Sequence, residues 1–269
     1  MLGKIIKNEF KATYKIMLSV LAVLALLSVM GGFAVRSLSI ASDNVSIIAI
    51  LGTVLYFLSF VAVFIIVIVY IGQRYYKTMF STQGYLTHTL PAKESTIFNG
   101  KLLVSYIWVL SVFVMIFLSL FLMGTIASSG ELFTYIIKEG WSLFVEEFYQ
   151  QFNFSVNIFL LEMALAMILG IAYLILWIFT SLTVGQLSDK HRVAASVFTG
   201  IGIYLVEQAF SIVMVVKSAK KGVMVLESAQ GASIFLNGTI WSSVIYMLIL
   251  GALMYTGCLL INKKKLNLE

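Results

Sequence analysis

Six long apolar runs leave few folds open to this chain. They cover residues 16–35, 45–72, 102–127, 158–187, 193–216 and 240–261. A bilayer core about 30 Å thick is crossed by about 20 residues of α-helix, and every run reaches that length. Three exceed it by several residues, which implies tilt, a kink at an internal glycine such as Gly170, or projection beyond the membrane. With 61% apolar and 11% charged residues among 269, the chain lies outside the range of a soluble globular domain. Its 20 Phe, 12 Met and single proline suit long helices better than the short alternating strands of a β-barrel. The expected fold is an all-α membrane protein of six transmembrane helices, forming one transmembrane domain over residues 1–269.

Orientation follows from the lysines and arginines, because positive residues near helix ends resist translocation. With the N-terminus inside, thirteen lie inside: Lys4, Lys7, Lys11, Lys15, Arg74, Lys77, Lys93, Lys101, Lys190, Arg192, Lys263, Lys264 and Lys265. Five lie outside: Arg36, Lys138, Lys217, Lys220 and Lys221. The count favours cytoplasmic termini, with the last three outer lysines dissenting. The scatter of positive charge in short flanks, without a stripe of interleaved aromatics, argues against nucleic acid as a partner. Residues 1–15 lack the cationic region and cleavage site of a secretory signal, so the start is expected to be retained.

Three segments outside the runs carry pattern. In residues 1–15 and just beyond, Leu2, Ile5, Ile6, Phe10 and Met17 recur at helical spacing while Lys4, Lys7, Lys11 and Lys15 occupy other faces. This reads as an amphipathic interfacial helix lying on anionic lipid before turning into the membrane; a cytoplasmic extension of the first span is the alternative. Residues 73–101 form a cytoplasmic connection between spans two and three. Residues 128–157 form an acidic outer segment. In it Leu132, Phe133, Ile136 and Ile137, then Trp141, Phe144 and Phe148, suggest two short amphipathic helices broken at Gly140.

Catalytic and cofactor signatures are missing from the sequence. There is no GxxxxGK[ST] loop to cradle phosphate, no GxSxG and no HExxH. The two histidines, His88 and His191, fall in loops, and Cys258 has no second cysteine to pair with. No catalytic, cofactor or metal residue is therefore assigned, and any ATP must be bound by another chain. Glu162 and Glu207 stand inside apolar runs, where charge is costly unless it meets a partner or an aqueous cavity. Glu207, with Gln208 beside it, reads either as part of a substrate path or as a hydrogen-bonded structural group, and Glu162 as a weaker case of the same choice. Trp108, Trp177, Trp241, Tyr70 and Tyr246 read as interfacial belt aromatics. Gly31 with Gly32, or Gly251 with Gly257, are candidates for close helix approach at a dimer face.

The cytoplasmic connection is the most informative segment. Gly84 can break the projecting end of span two, Pro91 stops a short element, and Tyr85, Leu86 and Leu90 need burial against a protein partner or the membrane surface. GYLTHTLPAKES over residues 84–95, followed by NGKLL, resembles the loop after the second span in ABC-2 type transporter permeases of Gram-positive bacteria. GQLSDKHR over residues 185–192 is similar to a short cytoplasmic turn of the same family. The basic start, the six spans and the long outer segment match its layout over nearly the whole chain.

The resemblance implies a half-transporter, in which two permeases, identical or sister chains, sit on two ABC ATPase subunits that carry ATP and Mg. It further implies that residues 73–101 hold a coupling helix, with Tyr85, Leu86, Thr87, His88, Thr89, Leu90 and Lys93 docking on the ATPase. Asp189, Lys190, His191 and Arg192 would make a secondary contact. The implied function is export of an amphipathic substrate or antimicrobial peptide from a bacterial plasma membrane. The alternative is a non-transporting scaffold or sensor that recruits a cytoplasmic partner.

Overall fold

The computed structural model describes residues 1–40, 47–81, 83–85, 89, 91–188, 190–223 and 229–264. Each apolar run is the body of one long helix. In chain order these are α1 (Leu2–Ile40), α2 (Ile47–Met79) and α3 (Glu94–Ala127), then the short α4 (Glu131–Tyr135), a π-helical turn (Ile136–Gly140) and α5 (Trp141–Phe152), then α6 (Val156–Gly185), α7 (Arg192–Val223) and α8 (Ala229–Lys264). No strand occurs among the described residues. Six helices are long and apolar enough to cross a membrane, which makes the chain a multi-pass membrane protein. Helices are the expected solution, since in hydrocarbon every backbone N–H and C=O must find its partner within the segment. At 1.5 Å per residue, helices of this length outreach the apolar core, so their ends project from it.

The chain divides into two compact units. The first comprises Met1–Gln73 and Asn99–Trp141, and the second Arg74–Phe98 and Ser142–Glu269.

In the first unit, α1, α2 and α3 pack through seams spaced three, four or seven residues apart. Thr13, Met17, Leu24 and Ser28 are buried on α1, Tyr56, Val63 and Val67 on α2, and Val104, Trp108 and Val112 on α3. Gly31 and Gly32, considered above for a dimer face, serve this packing instead. A Cβ on Gly31 would come within 2.6 Å of the Tyr56 ring, and one on Gly32 within 2.8 Å of Ile126 Cβ. Two adjacent glycines thus let α1 touch α2 and α3 at once. Close approach of this kind is the main source of helix affinity where lipid competes equally for apolar side chains.

Residues 2–15 are the first turns of α1, helical without interruption into the span, and no separate interfacial helix precedes it. Their contact face is pinned to α3. Lys101 Nζ donates to Glu9 Oε1 at 2.5 Å, Trp108 Nε1 donates to Thr13 Oγ1 at 2.9 Å, and Phe10 stacks on Trp108 with centroids 4.7 Å apart. Lys4, Lys7, Lys11 and Lys15 remain exposed.

The connection between α3 and α6 is helical from Glu131 to Phe152, so the break expected at Gly140 does not occur there; Gly140 is the last residue of the π turn. The real breaks lie on either side. Ser129 has φ 54 and Gly130 φ 90, with Gly130 N–H bonded to Thr125 O and Ser129 N–H to Ile126 O, the paired bonds of a Schellman helix end. Asn153, with φ 47, turns the chain from α5 into α6. Phe148 then packs on Phe159, with centroids 5.1 Å apart.

The second unit is built on α6, α7 and α8, each packed on the other two. Gly185 closes the α6–α7 hairpin: a Cβ there would lie 1.9 Å from Ser196 Oγ and 2.6 Å from its backbone nitrogen. The unit also takes in the end of α2 and the start of α3. Tyr75 stacks on Phe179 at 3.8 Å, Phe98 meets Phe179 edge-on, and the Tyr75 and Thr183 hydroxyls share a 2.9 Å hydrogen bond.

Candidate functional site: a polar recess among α6, α7 and α8

Polar side chains gather among the three spans of the second unit. On α8, Thr239, Ser242, Ser243 and Tyr246 follow one another at i, i+3, i+4 and i+7, which places four hydroxyls on one helical face. Opposite them α7 presents Glu207 and Ser211. These six line a recess of about 80 Å³ whose remaining wall is Phe210, Met214, Val215 and Met247. From α6, the Tyr173 hydroxyl lies 3.1 Å from that of Tyr246 and is also a hydrogen-bonding neighbour of Glu207. Phe210 stacks on Tyr246 with centroids 4.7 Å apart, which holds the tyrosine ring in place.

The hydroxyl groups of α8 direct their protons along the helix. Thr239 Oγ1 donates to the carbonyls of Phe235 and Leu236, and Ser242 and Ser243 both donate to the carbonyl of Thr239 at 2.9 Å. Such back-bonding is the usual way a hydroxyl is accommodated within an apolar helix. It leaves oxygen lone pairs turned to the surroundings.

The structure separates residues that the sequence had grouped. Glu207 lines the recess, whereas its neighbour Gln208 is exposed and does not. Glu162, 5% exposed, accepts a 2.9 Å hydrogen bond from Trp241 Nε1, and its other oxygen has no partner. It is held by Trp241 of α8 and does not line the recess. Tyr246 and Trp108 are buried and so are not belt aromatics, and Trp177 donates to the carbonyl of Gly200 at 3.1 Å. Sequence reasoning passed over Tyr173, Ser211, Thr239, Ser242 and Ser243. The spacing of the α8 hydroxyls was the available signal.

Of the residues assigned to docking, Tyr85 is 64% exposed, and its carbonyl accepts from the Thr89 N–H at 3.2 Å. Lys93 is exposed at the start of α3, where its carbonyl accepts from Thr96 and Ile97. Lys190 and His191 are exposed ahead of α7, and Arg192 is its first residue. Leu86, Thr87, His88, Leu90 and Asp189 lie outside the described residues. Gly84 approaches the carbonyl of Met79 so closely that a Cβ would lie 2.5 Å from it, which explains a glycine at the turn after α2.

The chain matches no known family model, no curated protein and no solved structure. Its function has to be argued from its own residues.

Proposed function

We propose that this chain is the permease subunit of an ATP-driven ABC exporter in a bacterial plasma membrane, with both termini cytoplasmic. It works with a second permease subunit and with two separate ATPase subunits that bind ATP and Mg. The substrate is an amphipathic molecule, antimicrobial peptides included. Docking on the ATPase falls to the connection between α2 and α3, residues Tyr85 to Lys93, with the turn around residues 189–192 beside it.

One observation carries the reading. The two helix ends that hold the α2–α3 connection are packed into the same unit as the recess, through the buried stack of Tyr75 on Phe179 with Phe98 at its edge. A load applied to the connection therefore reaches α6 through close-packed rings, and α6 contributes Tyr173 to the polar cluster. Chains of packed side chains of this kind are one physical route for coupling between a driven element and a site. An exposed tyrosine at the tip and a carboxylate at span depth, an arrangement usually kept for a pathway, fit the two ends of that path.

The test is purification of the full chain from its native membrane in mild detergent, with mass spectrometry of what accompanies it. A nucleotide-binding ATPase at near-equal stoichiometry supports the proposal; a reproducibly ATPase-free preparation after crosslinking favours the scaffold alternative. Lys93→Glu should keep abundance at the wild-type level while abolishing substrate-dependent ATP hydrolysis, and full coupling in that variant would remove the docking assignment.

A further inference from the structure

We infer that the recess between α7 and α8 is a binding site for the primary ammonium group of an amphipathic amine. The inference deepens the transport reading and rests on it only for what happens to the amine after binding; occupancy of the recess concerns this chain alone.

The hydrogen-bond inventory decides the polarity of the ligand. A hydroxyl has one proton to give, and those of Thr239, Ser242 and Ser243 are given to carbonyls of their own helix. Tyr173 and Tyr246 share one bond between them, and Glu207 neighbours Tyr173. The recess is consequently rich in acceptors and short of donors. An anion or a carbonyl group meets few donors, the Ser211 hydroxyl among them, whereas a group with several N–H donors finds an oxygen for each.

Charge points the same way. Glu207 is the acidic residue among the described residues of the recess, and no Lys or Arg is among them. At span depth a carboxylate is stabilised by a positive partner, and the wall leaves that partner to come from a ligand. Shape then narrows the choice among cations. Oxygens from both α7 and α8 share the lining with the apolar side chains of Phe210, Met214, Val215 and Met247. A metal ion makes no use of the apolar wall, but an alkyl chain continuing from an ammonium group does. The volume of about 80 Å³ suits a terminal methylene and its ammonium group. A trimethylammonium group is bulkier and brings no N–H donor. Access is lateral, since Ser211, Val215 and Ser243 are exposed at the rim. An amine dissolved in the membrane reaches the carboxylate without crossing the bundle.

The experiment uses the full chain in phosphatidylcholine nanodiscs, with saturable binding of radiolabelled decylammonium measured above that of empty nanodiscs. Wild-type protein should bind decylammonium at least about tenfold more tightly than decyltrimethylammonium, and Glu207→Gln should weaken decylammonium by about 10- to 100-fold. Ser243→Ala, at the exposed rim, should weaken it less while leaving helix content unchanged, which keeps the test informative should the Gln variant fold poorly. Equal affinity for the two amines, undiminished binding in both variants, or displacement of the amine by high potassium would each overturn the assignment, the last in favour of an inorganic cation. A missing ATPase partner would sink the transport reading and leave this binding result standing.

Discussion

The two units of the molecule bury similar apolar helices by different means. In the first, α1, α2 and α3 meet through glycines and apolar seams, with Trp108 hydrogen-bonded to Thr13 and Tyr56 to Ser119. One pair of its ionised groups in contact, Glu9 and Lys101, sits at one end of the helices, clear of the apolar runs. In the second, polar contacts recur along the spans: Glu162 with Trp241, Tyr173 with Tyr246 near Glu207, Thr180 with Cys258, and Tyr75 with Thr183. Hydrogen bonds between membrane helices average only about 0.6 kcal/mol each, so stability alone does not call for so many. The first unit keeps its polar lock clear of the apolar runs, whereas the second holds a carboxylate within one, among hydroxyl groups of a neighbouring helix.

The sharpest way to break the comparison is through the lock of the first unit. Glu9→Ala or Lys101→Ala alone leaves one charge buried and should cost about 3–5 kcal/mol of stability. Combined Glu9→Leu and Lys101→Met should recover most of that loss. Unfolding of the detergent-solubilised protein as a double-mutant cycle measures both quantities. A single-variant cost below about 1 kcal/mol would show the pair to behave as an exposed one.

Next in size is the hairpin of the second unit. Gly185→Ala drives a methyl group into the Ser196 backbone and should cost about 1–3 kcal/mol, with α6 and α7 separating at that end. Hydrogen exchange should rise in those helices and stay unchanged in α1, and a uniform rise would mean the units do not respond separately.

Tyr246→Phe removes the hydroxyl contact with Tyr173 and should cost only about 0.6 kcal/mol by the same unfolding measurement. Its effect on transport should nonetheless exceed that of Tyr56→Phe, which breaks the 2.9 Å hydrogen bond to Ser119 in the first unit. Equal transport in the two variants would erase the functional contrast. The smallest change is a gain: Ser129→Gly relieves a left-handed serine at the end of α3 and should stabilise by about 1 kcal/mol.

The fold class and the number of spans were legible because apolar run length against bilayer thickness is a one-dimensional quantity. Glu207 was legible for the same reason, as a charge out of place in an apolar run. The helical character of residues 128–157 was legible, but the break expected within it at Gly140 is not there, and the turns fall near its ends at Ser129, Gly130 and Asn153. A glycine marks where a left-handed residue fits easily, and here the chain also sets a serine and an asparagine in that conformation. The docking residues remain a sequence-based assignment supported by the exposure of Tyr85 and Lys93.

By itself, then, the sequence determined that this chain lives in a membrane as six helices, and that α1 to α3 carry no acid in their apolar runs while α6 and α7 do. Tertiary structure alone decided what each exceptional residue faces. Gly31 and Gly32 serve contacts within the chain, Glu162 meets Trp241, and Glu207 joins hydroxyls from α8 and a tyrosine from α6. The physical reason is that periodicity gives the face of a helix on which a residue stands, whereas its partner depends on which helix is packed there and at what height, and neither is encoded in any single run.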